Sequence, residues 1–413
     1  MEYRYDINHS IQDNASKNSL FCCHSITSII NIFISTFLIA HIYFFSGDIY
    51  DYIYKVCIYN LAHYLTMAIS YFVLAWIVER SNRIIIYRIS LIIRLLLVIL
   101  FIFYGKELAQ ILVLAGLIRG LSDSFYYASY NVLKQEMVSR KIMSRYASNI
   151  YIVAKIIDVI CPVILGTLIN IADYSSVAIV IGIIGLIQIV ISFFIKSKRP
   201  VNSEYNLKKY FTSIKQSPQA YKKLKFIYLL SGLYTATLIK VVLNICIMSE
   251  FKSTVDLGII TSVLSCVSVI TIFVVRKLTK AGHRTWLFVV SAICLMLASI
   301  MAGVYMTKWT IIIYNTALAI GSIIFKMNYD TYRNGILKEA GLYEQIAEHH
   351  TVMETIYNIV RVAGFALALL ISFTKHLVLF KLYFVAISVM YAIAFILLGV
   401  YEQNYLRCNQ EEK

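Results

Sequence analysis

The chain has 413 residues, 60% of them apolar and only 15% charged, with 38 Lys and Arg against 22 Asp and Glu for a formal charge of +16. A soluble domain carries about 25% charged residues, so a water-soluble fold is excluded, and disorder demands the opposite composition. Three prolines and 16 glycines rule out collagen-like and low-complexity chains, which leaves a polytopic membrane protein.

Residues 1–19 mix acids with bases and lead into an apolar run without a small-residue cleavage site, so they form a tail before a retained helix and not a signal peptide. A helix that crosses a bilayer needs about 20 mostly apolar residues. That measure predicts spans at 20–45, 52–78, 84–104, 108–132, 147–170, 176–195, 225–249, 255–275, 286–306, 309–332, 351–373 and 377–400. The polar, basic stretch 197–224, with Pro200 and Pro218, separates an N-terminal bundle (20–196) from a C-terminal one (225–401), and 402–413 is a tail. The expected fold is therefore all-α, with twelve transmembrane helices in two six-helix bundles. If the N-terminus is cytoplasmic, 26 Lys and Arg fall in cytoplasmic segments and five outside, a bias that orients the chain N-in and C-in. The basic runs are then orienting loops, and no nucleic acid is expected as a partner. The eight cysteines show no metal-ligand or disulfide spacing. Cys22 and Cys23, at the opening of the first span, are either membrane-edge residues or acylation sites.

The six-plus-six division is matched by an internal repeat. After the second span the chain reads Ala75-Trp-Ile-Val-Glu79-Arg80-Ser-Asn82-Arg83, and after the eighth Val275-Arg-Lys-Leu-Thr279-Lys280-Ala-Gly282-His283-Arg284, at an offset of 200 residues. Both resemble the loop motif of the major facilitator superfamily, G-x-x-x-D-[RK]-x-G-[RK]-[RK]. The first copy has Glu79 for the Asp but Ala75 and Asn82 for the glycines; the second keeps Gly282 but lacks the acid. The resemblance implies that Glu79, Arg80, Arg83, Lys280, Gly282 and Arg284 form gating loops that bridge cytoplasmic helix ends. Cys161-Pro162-Val-Ile-Leu-Gly166 is similar to the fifth-span G-P-x-x-G-G motif of the superfamily's antiporters. Gly116-Leu-Ile-Arg119-Gly120 is similar to the fourth-span R-x-x-x-G motif, with Asp123 in place of its Gly. The family architecture further implies that spans one, four, seven and ten line a cavity while three, six, nine and twelve face lipid. Arg94, in span three, is the exception and has no assigned partner.

An ionisable residue at mid-membrane costs at least about 2.5–3.5 kcal/mol, so each one needs a partner or a task. Spans four and five are consecutive and antiparallel, and equal depth then pairs Arg119 with Asp158 and Asp123 with Lys155. Such pairs are either a permanent staple or a pair that opens to take a proton or a substrate charge. In the second half Asp330 and Arg361 are expected to meet. Lys326 and Lys240 are left without carboxylates, either as positive charge suited to an anionic substrate or as lysines that snorkel to the interface. His24, His41 and His63 are either proton carriers or isolated polar residues packed between helices. Most of the 32 tyrosines suit interfacial belts. Tyr126, Tyr127, Tyr130 and Tyr329, with Asn131, are placed to contact substrate.

No nucleotide-binding loop and no HExxH are present, so no enzyme, cofactor or metal is expected. The function expected from this reading is secondary active transport of a small solute, with one half rocking on the other around a mid-membrane site. Proton coupling is expected, and the antiporter-like motif favours export. Uptake by proton symport, and a transport-inactive sensor or immunity protein of the same fold, stand as alternatives. The expected partners are the lipid bilayer, a small-molecule substrate and protons, with the chain acting as a monomer. Its richness in Ile, Tyr, Lys and Asn suggests an AT-rich bacterial genome and the plasma membrane.

Overall fold

A computed structural model describes residues 2–138, 143–196, 206–216, 218–278, 284–339 and 342–411, and these are helical with no strand among them. Helix α1 (Glu2–Ile32) runs through a π-helical turn at Phe33–Phe37 into α2 (Leu38–Phe44). Then follow α3 (Ile49–Arg80), α4 (Arg83–Tyr104), α5 (Leu112–Met137), α6 (Met143–Ala172) and α7 (Tyr174–Ser192). A short helix, α8 (Leu207–Gln216), leads to α9 (Pro218–Gly232), α10 (Ala236–Phe251), α11 (Thr254–Leu278) and α12 (Arg284–Val304). The chain ends with α13 (Lys308–Glu339), α14 (Ile346–Thr374) and α15 (Leu377–Glu411).

Among the described residues, ten helical stretches are long and apolar enough to cross a membrane. Helices α3 and α5 are of comparable length but fall outside that set: α5 carries Arg119 and Asp123 within its apolar run, and some side chains of α3 lie outside the described residues. Outward faces are apolar, as on α7, where Ile183, Leu186, Ile187 and Val190 are all exposed. In water such a surface would be a liability; against lipid it is the favourable arrangement.

Side-chain caps start several helices. Asp48 accepts a hydrogen bond from the Asp51 N–H at 2.7 Å, Asn82 from Ile84 at 3.1 Å and Asp173 from Ser176 at 2.7 Å. Asn82 thus closes the turn where the loop motif carries its second glycine. Asp173 lies between α6 and α7, and the hydrogen bond from Ser176 holds its carboxyl below the usual range.

One expected span is discontinuous, and the connecting stretch holds a helix of its own. The stretch at 225–249 is broken between α9 and α10, where the Thr235 hydroxyl donates to the Ile387 carbonyl at 2.9 Å. Discontinuous helices of this kind are common in transporters. Helix α8 docks on the second half: the Tyr210 hydroxyl lies 2.6 Å from that of Tyr228 and 2.9 Å from His349 Nδ1.

The two halves meet along α3 with α14, α6 with α11, and α2 with α10. These contacts include, toward the face away from the termini, Tyr54 edge-on to Phe373 at 5.6 Å and, deeper, Tyr64 stacked on Phe365 at 5.6 Å. Between α6 and α11 the backbones approach through small residues, the usual mode in membranes. A methyl group on Gly166 would lie 2.5 Å from the Thr254 carbonyl oxygen, and one on Gly258 would overlap that of Pro162. The residues that resemble the fifth-span motif therefore form the contact between halves. Gly258→Leu is expected to push α6 and α11 apart. In the purified variant, a maleimide should modify a cysteine placed at Thr254 faster than in the parent cysteine protein. Labelling no faster than in the parent would show that α6 and α11 tolerate the bulk.

Candidate functional site

Helices α3, α4 and α5 enclose a buried charge cluster. It forms because Gly116 and Gly120, four apart on α5, let that helix lie directly on α3. A methyl group on Gly116 would sit 2.5 Å from the Tyr59 carbonyl oxygen, and one on Gly120 2.5 Å from that of His63. Asp123, one turn beyond Gly120, is thereby brought to His63, with Oδ2 and Nε2 3.0 Å apart. Arg94 of α4 donates from Nη2 to Asp123 Oδ1 at 2.8 Å, and Arg119 Nε lies 3.6 Å from Oδ2. Arg119 also donates from Nη1 to the Tyr59 hydroxyl at 3.0 Å, and the Arg94 guanidinium lies over the Tyr126 ring at 4.7 Å. His63 and Arg94 are each 2% exposed, Asp123 5% and Arg119 9%, so water screens none of these contacts. One carboxylate faces two guanidiniums, and among the described residues His63 Nδ1 and Arg94 Nη1 have no hydrogen-bond partner.

This arrangement corrects several expectations. Arg119 does not meet Asp158, and Asp123 does not meet Lys155; instead Lys155 and Asp158 pair with each other, three apart on α6, at 2.9 Å. Equal depth does not produce a pair here, because α5 and α6 are consecutive in the chain without being packed neighbours. In the fold α5 packs on α3 and α4, whereas α6 packs on α1, α7 and α11. Arg94 does have a partner, and it is Asp123. Asp330 pairs with Arg333 of its own helix at 3.2 Å and not with Arg361. Arg361 instead donates to Asn358 Oδ1 at 2.9 Å and Thr237 Oγ1 at 3.4 Å, and lies over the Tyr64 ring at 5.0 Å.

The tyrosines divide. Tyr126 and Tyr130 are sealed in a cluster with Leu20, Cys23 and Tyr87, and the Tyr126 hydroxyl lies 2.7 Å from His24 Nδ1. Tyr329 is also buried, its hydroxyl 2.6 Å from Ser231 Oγ. Tyr127 and Asn131 are half-buried, and Tyr127 lies within electrostatic range of both Asp123 and Glu354, between the two halves. His41 lies at the far end of the bundle, 3.0 Å from the Gly105 carbonyl oxygen. Lys55 pairs with Asp51 at 2.6 Å.

In the second half, Lys240 on α10 and Lys326 on α13 are exposed side chains without an ion-pair partner among the described residues. Lys240 is within electrostatic range of Lys326 and of the Lys155–Asp158 pair on α6.

Of the gating loops, Arg83 forms an ion pair with Glu136 at the end of α5, tying the loop between α3 and α4 to a neighbouring helix end. Glu79 and Arg80 close α3 and Arg284 opens α12, but their side chains, with Lys280 and Gly282 entirely, lie outside the described residues. A separate cavity of about 530 Å³ opens between the ends of α2, α10 and α15, lined by Tyr43, Asp48, Cys246, Glu250 and Phe380. It includes none of the cluster residues.

The sequence brings His63 forward only as a lone proton carrier or packed polar residue and Arg94 only as a charge without a partner, and it does not bring Tyr59 forward at all. The available signal was the small-residue spacing of Gly116 and Gly120, which marks a close helix contact, together with polar residues at Asn60 and His63 on the helix it contacts.

Comparison with known proteins agrees with this architecture. Structures similar to this chain include a bacterial homologue of the iron transporter ferroportin in its inward-facing state, with a TM-score of 0.62 at 12% identity over 95% of this chain and 98% of that one. They also include a POT family transporter in complex with 5-aminolevulinic acid, at 0.69 and 13% over 94% and 96%. The human organic anion transporter MFSD10 (TETRAN) gives 0.57 and 11% over 94% and 99%. The uncharacterized protein YqgE of Bacillus subtilis (strain 168) is 22% identical over 299 residues, 71% of this chain and 68% of that one. The family model described as Major Facilitator Superfamily matches residues 19–344. With two helical halves joined across α3–α14 and α6–α11, and charges buried inside one of them, the chain belongs to the major facilitator superfamily and is a multi-pass membrane transport protein.

Proposed function

We propose that the protein is a proton-coupled secondary transporter of a small solute that works by alternating access, with twelve crossings, both termini cytoplasmic and residence in a bacterial plasma membrane. The observation that carries this reading is the Asp123 cluster, since a buried network of ionisable groups inside a membrane domain is retained for a task. The contacts toward the face away from the termini correspond, in this orientation, to a state closed to the outside. Export is favoured by the residues resembling the antiporter motif, because Pro162 and Gly166 sit at the seam that must part when the halves rock.

Within the cluster the proton carrier is His63. Asp123 is engaged by two guanidiniums, which compensate its charge. Histidine is the side chain whose ordinary titration range adjoins physiological pH, and His63 has one ring nitrogen on Asp123 and the other without a partner among the described residues. Protonation would strengthen its hold on Asp123 and loosen that of Arg94 or Arg119, which gives the proton a route to helix packing.

The test uses purified protein in proteoliposomes carrying a pH-sensitive dye, screened for a solute that exchanges across the membrane and drives a proton signal. His63→Gln is expected to keep counterflow of that solute while proton-driven accumulation falls at least tenfold. Accumulation that survives intact would remove His63 from the coupling path. A chain that exchanges no solute would favour a sensor.

A further inference from the structure

We propose that Lys240, Lys326 and Arg361 form an anion site between the two halves, which binds a small organic solute through its carboxylate or phosphate oxygens. This deepens the transport reading and rests on it. Helix α10 is packed by elements of both halves, and from Leu238 to Met248 nearly every residue is buried. The accessible positions are Thr237, Lys240 and Asn244, spaced by three and four and hence on one face. A polar stripe that stays accessible on a helix enclosed by both halves opens onto a space inside the bundle and not onto lipid. Helix α13 carries the matching stripe: Ser322, Lys326 and Asp330 are accessible while Ile323, Ile324, Phe325, Asn328 and Tyr329 are buried.

Arg361 joins the same place. Its Nη2 donates to Thr237 Oγ1 at 3.4 Å, which puts the guanidinium one turn from Lys240 on the accessible face of α10. Phe325, the neighbour of Lys326, stacks on Tyr234 at 5.8 Å, which holds α13 against the start of α10. Three cations therefore converge from α10, α13 and α14.

Two of the three acids nearby are already engaged. Asp158 pairs with Lys155 at 2.9 Å and Asp330 with Arg333 at 3.2 Å. Glu354 is within electrostatic range of Arg361 but, among the described residues, pairs with no base. The site is left with more positive than negative charge in a low-dielectric setting, where uncompensated charge is costly. An anion supplies the missing counter-charge. Arg361 has five N–H donors in a planar fork, and the two hydrogen bonds to Asn358 and Thr237 leave others free for a carboxylate. The lysines then meet the remaining oxygens as point charges. A solute with two acidic groups, or one doubly charged phosphate, fits three cations better than a monocarboxylate does.

The test is thermal stability of the full chain in detergent against succinate, citrate and inorganic phosphate. Glucose and tetraethylammonium serve as neutral and cationic controls, with ionic strength fixed by sodium chloride. Binding to the folded state raises the melting temperature, and the expected result is a rise with at least one anion and with neither control. The three probes separate carboxylate from phosphate recognition. Lys240→Gln and Arg361→Gln are each expected to weaken apparent affinity about tenfold or more, the loss of one charge-assisted hydrogen bond, while Lys240→Arg retains most of it. Because Lys240 has no partner to strand, the ligand-free Lys240→Gln protein should melt no lower than wild type, so a lost response is not lost folding. Stabilisation by glucose or tetraethylammonium only, no response to any anion, or an anion response unchanged in the Lys240→Gln/Lys326→Gln double variant overturns the site. Counterflow in proteoliposomes separates this from the reading beneath it. Exchange of a non-anionic solute that no anion inhibits would leave transport standing and remove the anion site. Anion binding without any exchange would do the reverse.

Discussion

Asp123→Ala is expected to be the most damaging single substitution in the N-terminal half. The carboxylate is the counter-charge for Arg94, at 2.8 Å, and Arg119, at 3.6 Å, and both guanidiniums are buried. Removing it strands two positive charges in low dielectric, and breaking a buried pair by deleting one member costs about 3–5 kcal/mol. The expected outcome is a large fall in the yield of folded protein from membranes and in its melting temperature. A second substitution, Arg94→Met, removes one stranded charge and should restore part of both. Asp158→Asn supplies the contrast. Its pair with Lys155 lies within one helix, and the two side chains are 35% and 21% exposed, so the loss should stay within about 1 kcal/mol, as for partly solvated pairs. Equal damage at the two aspartates would mean that the α6 pair carries the burden assigned here to the cluster. No rescue by Arg94→Met would remove Arg94 from it.

Gly120→Leu is expected to have the second largest effect. A Cβ at this position would lie 2.5 Å from the His63 carbonyl oxygen and 2.7 Å from Thr66 Cβ. The obstacle is backbone, so α3 must move as a whole. Inserting bulk into a packed interior costs about 1–3 kcal/mol, and here the displacement also lengthens the 3.0 Å contact of His63 with Asp123. The melting temperature and proton-driven transport should therefore fall together. Gly120→Ala should show a smaller version of the same loss. Because Gly120→Leu and Asp123→Ala both act through the α3–α5 contact, their costs should not add; sites in contact show coupling of about 0.5–3 kcal/mol. Strict additivity in the double variant would separate the glycine contact from the charge cluster.

Much of the architecture was legible without coordinates, because hydropathy and helix length are local properties. An apolar run of about 20 residues has one favourable fate in a membrane protein, and the candidate spans lie close to the observed helices. Family membership was legible for a similar reason: the loop copies at Glu79–Arg83 and Lys280–Arg284 recur at a fixed offset. The choice of Arg119, Asp123, Lys240, Lys326 and Arg361 as important followed from the cost of burying charge, which holds whatever the partners are. Partnership was another matter. Asp123 meets His63, 60 residues away, and Arg94, 29 away, because α5 lies on α3 and α4 and not on α6. Which helices become neighbours is set by how all of them pack, and two glycines on α5 decide it here by removing the side chains that would keep α3 at a distance. Likewise Lys240 and Lys326 are visible in the sequence as unpaired bases, but only the tertiary structure brings them within electrostatic range of each other and sets Arg361 beside Thr237, one turn from Lys240. Position along the chain sets each residue's depth in the bilayer; only packing sets which way it faces and what it meets there.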